Sequence, residues 1–347
     1  MNKVLNKNFI LLFCCITFFS CKKDKPIENN QAFDTELSKG VYICNEGNFM
    51  FGNSQLSFYN KSNDSLIQNL FEVKNSSKLG DVFQSMCFFN NNAYLIINNS
   101  QKIIIADSTT FNKTGEITGL TSPRYFLPVN SSKAYVSDLY ANALSVIDID
   151  LNIVSKTIPI KGWTEELILI DDNAFVTNRT SDMLYVIDIH LDTIKDSLQI
   201  GYGANSIQKD INGKLWTLCE GNATNNNYAS LCRINPKNMT VEQIFQFNQL
   251  SESPKSLKIS GGGDTLYYLN SDLYQMGINE TSLPNQFLIS GDDKTFYGLG
   301  IDPHNGDIYV SDAIDYVQRG KVYRYSNTGN LKNAFLSGII PGNIYFN

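Results

Sequence analysis

From Lys39 to the end of the chain, apolar positions come in short runs rich in Val, Ile and Tyr, broken by Asn, Asp, Ser and Gly. The clearest stretch reads SPRYFLPV, the turn NSSK, AYVSD, the loop LYANA, LSVIDID, a turn at Leu151-Asn152, then IVSKTIPI. Runs of this length and composition predict four short β-strands joined by turns. No run sustains a 3.6-residue period over three turns, so the pattern predicts no helical architecture.

The pattern also repeats. AYVSDLYANALSVIDID, starting at Ala134, returns as AFVTNRTSDMLYVIDIH, starting at Ala174. Aligning on the aromatic residue gives seven copies, at Tyr42, Tyr94, Tyr135, Phe175, Trp216, Tyr267 and Tyr309. Their spacings of 52, 41, 40, 41, 51 and 42 residues differ only by loop insertions. Four antiparallel strands per repeat is the blade of a β-propeller, so the expected fold is all-β with seven blades. The first copy starts at its second strand, KGVYICN, whereas the C-terminus GIIPGNIYFN follows a complete seventh copy and resembles a first strand. Residues Pro341 to Asn347 are therefore expected to supply the inner strand of blade one, closing the ring and removing its open edge.

Ahead of the repeats stands MNKVLNKNFILLFCCITFFSC, two lysines followed by an apolar run from Phe9 to Phe19. This reads as a secretory signal, too short to span a bilayer as a mature helix. Ser20-Cys21 at its end resembles a bacterial lipobox, with Phe18 where that motif usually has Leu. The resemblance implies a signal peptide at 1–20, diacylated Cys21 and attachment to the membrane by the lipid alone. Residues 21–38 are polar and charged, the composition of a flexible tether, and 39–347 form the propeller.

The formal charge of −6 is mild and scattered, which argues against nucleic acid, whose phosphates demand a basic face. Cys44, Cys87, Cys219 and Cys232 fit no metal-binding spacing. Cys219 and Cys232 flank one polar loop, and either a disulfide or two buried thiols is consistent with that position.

In a four-strand blade, the loop after the second strand and the loop entering the inner strand emerge on one face. The first set begins with Asn45, Asn98, Asp138, Asn178, Glu220, Asn270 and Asp312. The second places Gln84, Arg124, Glu165, Asn205, Lys255, Tyr297 and Gly342 near the axis. Strand cores repeat the same residues while this inner ring does not, which marks it as a candidate ligand site. Phe49, Phe51, Tyr140, Trp163, Tyr202, Tyr228 and Tyr316 lie nearby in sequence, and mixed polar heads beside aromatics suit a flat, polar-edged ligand. Asn and Asp are also good turn residues, so the first set has a purely structural alternative. NEGNFMFGNSQ and EGNATNNNYAS are long loops on the same face, where function often resides.

The units at about 120 to 220, with their aromatic-Val-x-Asn and VID strands, resemble the YVTN-type, surface-layer-like (quinoprotein-like) propeller repeat. VYICNEGNFMFGNSQLSFYN, KLGDVFQSM and AYLIINNSQKI on a lipoprotein resemble the seven-bladed propeller lipoproteins found near TonB-dependent receptors, some of them surface cobalamin-capture proteins. That resemblance implies a small ligand, best a corrinoid, a TonB-dependent outer-membrane receptor as partner, and the surface of a Gram-negative outer membrane.

Two other classes compete. A protein-interaction scaffold would use the rim. Catalysis has little to work with: His190 and His304 are the two histidines, both expected on the opposite face. Glu165 and Glu166 are adjacent in a strand and are expected to point to opposite sides. A calcium-assisted hydrolase using oxygens of Glu165, Asn205 and Asp312 is the remaining enzymatic alternative. The expectation is a non-enzymatic protein with no metal and no cofactor.

Overall fold

The structure is a computed structural model and describes Leu37 and residues 39–347. The signal peptide, Cys21 and the tether assigned to 1–38 lie outside the described residues, Leu37 excepted. Seven antiparallel sheets form the fold. Blade two shows the standard order from the axis outward: Phe83–Phe89, Asn92–Ile97, Lys102–Asp107 and Lys113–Ile117. Blade one draws its innermost strand, Pro341–Phe346, from the C-terminus, paired with Gly40–Asn45 as Tyr42 opposite Tyr345 and Ile43 opposite Ile344. The sequence-based expectation of closure is thus met.

Six of the seven sheets carry four strands, and that of blade six carries three, Lys255–Ile259, Thr265–Asn270 and Asp272–Gly277. There the chain returns irregularly and meets the sheet edge through the single bridge Leu273 to Ile289. The short Leu70–Asn75 helix packs against blade one, burying Leu70 and Phe71.

Both faces of each blade are apolar, and the buried side chains fall into seven clusters, one per blade interface. The cluster joining blades seven and one holds Val41, Ile43, Tyr59, Tyr309, Val322 and Ile344. Like the other six interfaces, it is built from apolar side chains of the two facing blades. All seven repeat aromatics, Tyr42 to Tyr309, are buried. Each contributes the large apolar area that such side chains remove from water.

The repeated aspartates have a local explanation. At the end of the third strand, the Asp188 carboxylate accepts from the amides of His190 and Leu191, and Asp148 from that of Leu151. Asp107 does the same for Thr109 and Thr110, and their hydroxyls and amides lower its pKa to about 2. These are Asx turns, chosen because a short carboxylate can satisfy turn amides that have left the ladder.

Candidate functional site

At the axis, on the face where the inner strands begin, lies a cavity of about 720 Å³. All seven inner-ring positions line it: Gln84, Arg124, Glu165, Asn205, Lys255, Tyr297 and Gly342. Close approach of strands at the axis explains the glycines: a Cβ on Gly298 would fall 1.8 Å from the Gly342 carbonyl oxygen.

One expectation is overturned here. Glu165 and Glu166 both line the cavity, because the ladder between the two innermost strands skips between Thr164 and Leu167. A β-bulge sets two residues against one and cancels the strict alternation of a strand. A register shift stands at the corresponding place in every blade. Consecutive pairs therefore face the axis: Arg124 with Tyr125, Asn205 with Ser206, Tyr297 with Gly298, Gly342 with Asn343. The bulge nearly doubles the chemistry each inner strand delivers to the cavity.

The lining is heavily charged and mostly paired across blades. Arg124 holds Glu165 in a two-pronged ion pair, Nε to Oε2 at 2.8 Å and Nη2 to Oε1 at 2.6 Å, and donates a further bond to Gln84. The Trp163 indole N–H also donates to Glu165, while the Arg124 and Arg179 guanidiniums lie 5.1 and 4.2 Å from its ring centre. Arg179 pairs with Glu220, and Lys258 reaches Glu166 at 3.3 Å, beside the amide of Ile207. Burial raises the Glu166 carboxyl above its usual range even against Lys258. Asn343 ties the closing strand to the Gln84 carbonyl and the Tyr125 hydroxyl.

Glu46 is held differently. Among the described residues its carboxylate accepts only from the Tyr297 hydroxyl, at 3.0 and 3.1 Å. Burial raises its pKa to about 6, against the opposing pull of Arg124 and the Tyr297 bond. Lys255 lies over the same Tyr297 ring, 4.8 Å from its centre. Burial lowers its pKa, with Glu46 opposing.

The other predicted set is placed elsewhere. Of the residues ending the second strands, Glu220 lines the cavity and the rest do not. Asp138 accepts from the amides of Thr121, Ser122, Tyr140 and Ala141, so it staples the two loops of its blade together. Asn178 and Asp312 bracket their loops likewise, through Thr180 and Lys161 and through Thr295 and Ile314. Asn45 is bonded to Ser57, Ser337 and Gly338, Asn98 to the Pro123 carbonyl and Asn270 to Glu252. Tyr140 stands exposed on its loop, as do Phe49, Met50 and Phe51, whereas Trp163 and Tyr316 line the cavity. Asp312 does not join Glu165 and Asn205, so the oxygens considered for calcium are not gathered in one place. Among the described residues no group of His, Cys, Asp and Glu is arranged to hold a metal. His190 sits in the turn after its third strand, beside Asp172 at 3.2 Å, and neither histidine lines the cavity. Cys219 and Cys232 are buried free thiols on neighbouring strands.

Sequence reasoning missed Glu46, Tyr125, Glu166, Arg179, Lys258 and Asn343. Tyr125, Glu166 and Asn343 needed the bulge to be known, and the repeated position of the ladder shift is visible only in the paired strands. Glu46 and Arg179 each follow a flagged Asn by one residue, so the signal was present but one place off.

Fold and cavity together define a closed seven-bladed β-propeller with a charged axial pocket at one mouth. The chain belongs to the family described as "Domain of unknown function (DUF5074)", whose profile matches residues 39–337. Among curated proteins none matches this sequence. Solved structures do resemble it. A quinonprotein alcohol dehydrogenase-like protein of Bacteroides thetaiotaomicron is 15% identical over 90% of this chain and 79% of that one, with a TM-score of 0.72. A Bacteroides fragilis protein labelled as a 6-phosphogluconolactonase candidate is 12% identical over 89% of this chain and 98% of that one, with a TM-score of 0.68. Hydrazine synthase of Kuenenia stuttgartiensis is 13% identical over 73% of this chain and 85% of that one, with a TM-score of 0.58. Proteins of such different names share the scaffold, so the likeness is one of fold.

Proposed function

We propose that this protein is a non-catalytic, lipid-anchored capture protein that binds a small ligand at the axial mouth. On this reading Cys21 carries the anchor, and the protein stands on the outer surface of a Gram-negative outer membrane. It hands its ligand, best a corrinoid, to a TonB-dependent transporter. The observation that carries the reading is the inner ring: seven equivalent positions present seven different residues to one cavity. Closing the ring does not require such diversity, whereas recognition of an asymmetric molecule does. The cavity volume also falls within the usual range of ligand sites, roughly 300–1,000 Å³.

The described chain starts its first strand at Gly40, at the end remote from the mouth residue Asn45. A tether attached there leaves the mouth free for a ligand or partner. Isothermal calorimetry of the purified protein with cyanocobalamin, cobinamide and haem tests the proposal. One-to-one binding of a corrinoid supports it, and silence with all three sinks the corrinoid assignment.

A second reading, a protein-interaction scaffold, is favoured by the exposed apolar rim of Phe49, Met50, Phe51 and Val317. Asn48 ties the two loops by bonding the Tyr316 carbonyl at 2.8 Å. Exposed apolar groups clustered in this way mark interaction surfaces. Replacing Phe49 and Phe51 by Ser separates the readings: loss of envelope-partner binding with ligand binding intact favours the scaffold.

A further inference from the structure

The charges lining the cavity do not cancel. Five are cationic, Arg124, Arg179, Lys255, Lys258 and Lys294, and four anionic, Glu46, Glu165, Glu166 and Glu220. Glu165, Glu166 and Glu220 each have a cation within 3.3 Å, which accounts for Arg124, Lys258 and Arg179. Lys294 lies 3.6 Å from the exposed Asp293 and over the Tyr323 ring. Two groups of opposite sign remain with no ion pair within 4 Å among the described residues, the Lys255 ammonium and the Glu46 carboxylate; they act on each other, and Arg124 acts on Glu46, only from farther away. Tyr297 touches both, its ring face under Lys255 and its hydroxyl on Glu46. Charges withdrawn from water without a partner are costly, and proteins retain them where something else completes the pair.

We propose that Lys255 is the seat for an oxyanion group, carboxylate or phosphate, of the ligand held in this cavity. Glu46, at the hydroxyl edge of Tyr297, accepts from a donor group of the same molecule. The ligand class is therefore a small amphoteric molecule that carries both an acid and a hydrogen-bond donor. This rests on the reading of the cavity as a ligand site and narrows what it takes. The paired residues around it are fixed in place by their own partners, so the unpaired couple is where selectivity for charge resides. Half-burial suits the task, because an oxyanion gains most from an ammonium already stripped of part of its water.

Chemical protection of the wild-type protein tests the assignment. Amines are trace-acetylated and mapped by peptide mass spectrometry in the presence of inorganic phosphate, sodium acetate or phosphoethanolamine. Lys237, exposed on the surface, serves as internal reference. The expected result is a fall of about fivefold in the modification of Lys255 relative to Lys237, as occupancy of a single site produces. The phosphate and acetate arms show which acid is preferred. Phosphoethanolamine should protect at lower concentration than phosphate, and Glu46→Gln should erase that advantage while leaving protection by phosphate in place. Equal rates at Lys255 with and without the anions, or parallel slowing of Lys237, overturn the proposal. Calorimetry with corrinoids is read separately on wild type and Lys255→Met. Undiminished corrinoid binding without anion protection removes this inference and leaves ligand capture standing. Protection without corrinoid binding keeps the inference and removes the corrinoid.

Discussion

Replacing Arg124 by Met should be among the most damaging single changes at the axis. The guanidinium holds Glu165 with two bonds, and the two side chains are only 12% and 4% exposed. Removing the cation leaves the Glu165 carboxylate buried with the Trp163 N–H as its remaining side-chain partner. Stranding one member of a buried pair costs about 3–5 kcal/mol. Whole-domain stabilities are commonly about 5–15 kcal/mol, so the variant should lose a large share of its margin. The companion change decides the cause. In Arg124→Met with Glu165→Gln neither charge of this pair is left stranded, and the amide oxygen still accepts from Trp163. The double variant should then recover most of the loss, ending within about 1–2 kcal/mol of wild type. Urea unfolding followed by circular dichroism gives both numbers, and tryptophan fluorescence checks that the transition is two-state. If the double variant is as unstable as the single one, the damage is not a stranded charge and the account of the ring as a paired network fails.

Glu46→Gln should change the pH dependence of stability. The Glu46 carboxyl has a folded pKa raised to about 6, so the wild-type protein loses stability as pH rises from about 4 to 6. The variant lacks that loss, so its advantage at pH 7.5 over pH 4.5 should be about 2 kcal/mol in paired urea titrations, and equal differences at both pH values would refute it. Gly298→Ala should push the inner strands of blades seven and one apart, because the clash is with the Gly342 backbone rather than a movable side chain. A loss of about 1–3 kcal/mol is expected in thermal unfolding, and an unchanged midpoint would show that the strands do not approach as described. Asp138→Ala should cost about 1–3 kcal/mol by leaving four loop amides without their acceptor, while ligand affinity changes little. A variant with wild-type stability and lost affinity would place Asp138 in the binding site instead.

The propeller was legible because its determinants are local and repeated. An aromatic residue, two or three apolar neighbours and a turn-forming Asx recur seven times, and each of those aromatics is buried at a blade interface. Closure was legible from a missing first strand at one end and a surplus one at the other. The inner ring followed from topology, since the first residues of inner strands converge on the axis in any propeller. What sequence pattern alone cannot carry is the bulge. Alternation assigns Glu166 and Tyr125 to the wrong side, and the register skip that brings them inward arises from how converging strands pair near the axis. Asp138 and Asn178 were ambiguous for another reason. The same short polar side chain that can meet a ligand can also bracket a loop, and the number of amides within reach decides which. Glu46 and Arg179 sit one residue past the flagged Asn45 and Asn178, whereas Lys258 meets Glu166 across blades, over a separation in sequence that no local pattern records.

The most direct test of the central claim is calorimetric titration of the purified protein with cobinamide and cyanocobalamin, repeated on Trp163→Ala and Tyr297→Phe. Both positions line the axial cavity: the Trp163 ring lies beneath two guanidiniums, and the Tyr297 hydroxyl anchors Glu46. The account predicts one-to-one binding to wild type, weakened at least tenfold, or about 1.4 kcal/mol, by each substitution. Binding that both variants retain in full would place the ligand site outside the axial cavity and contradict the account.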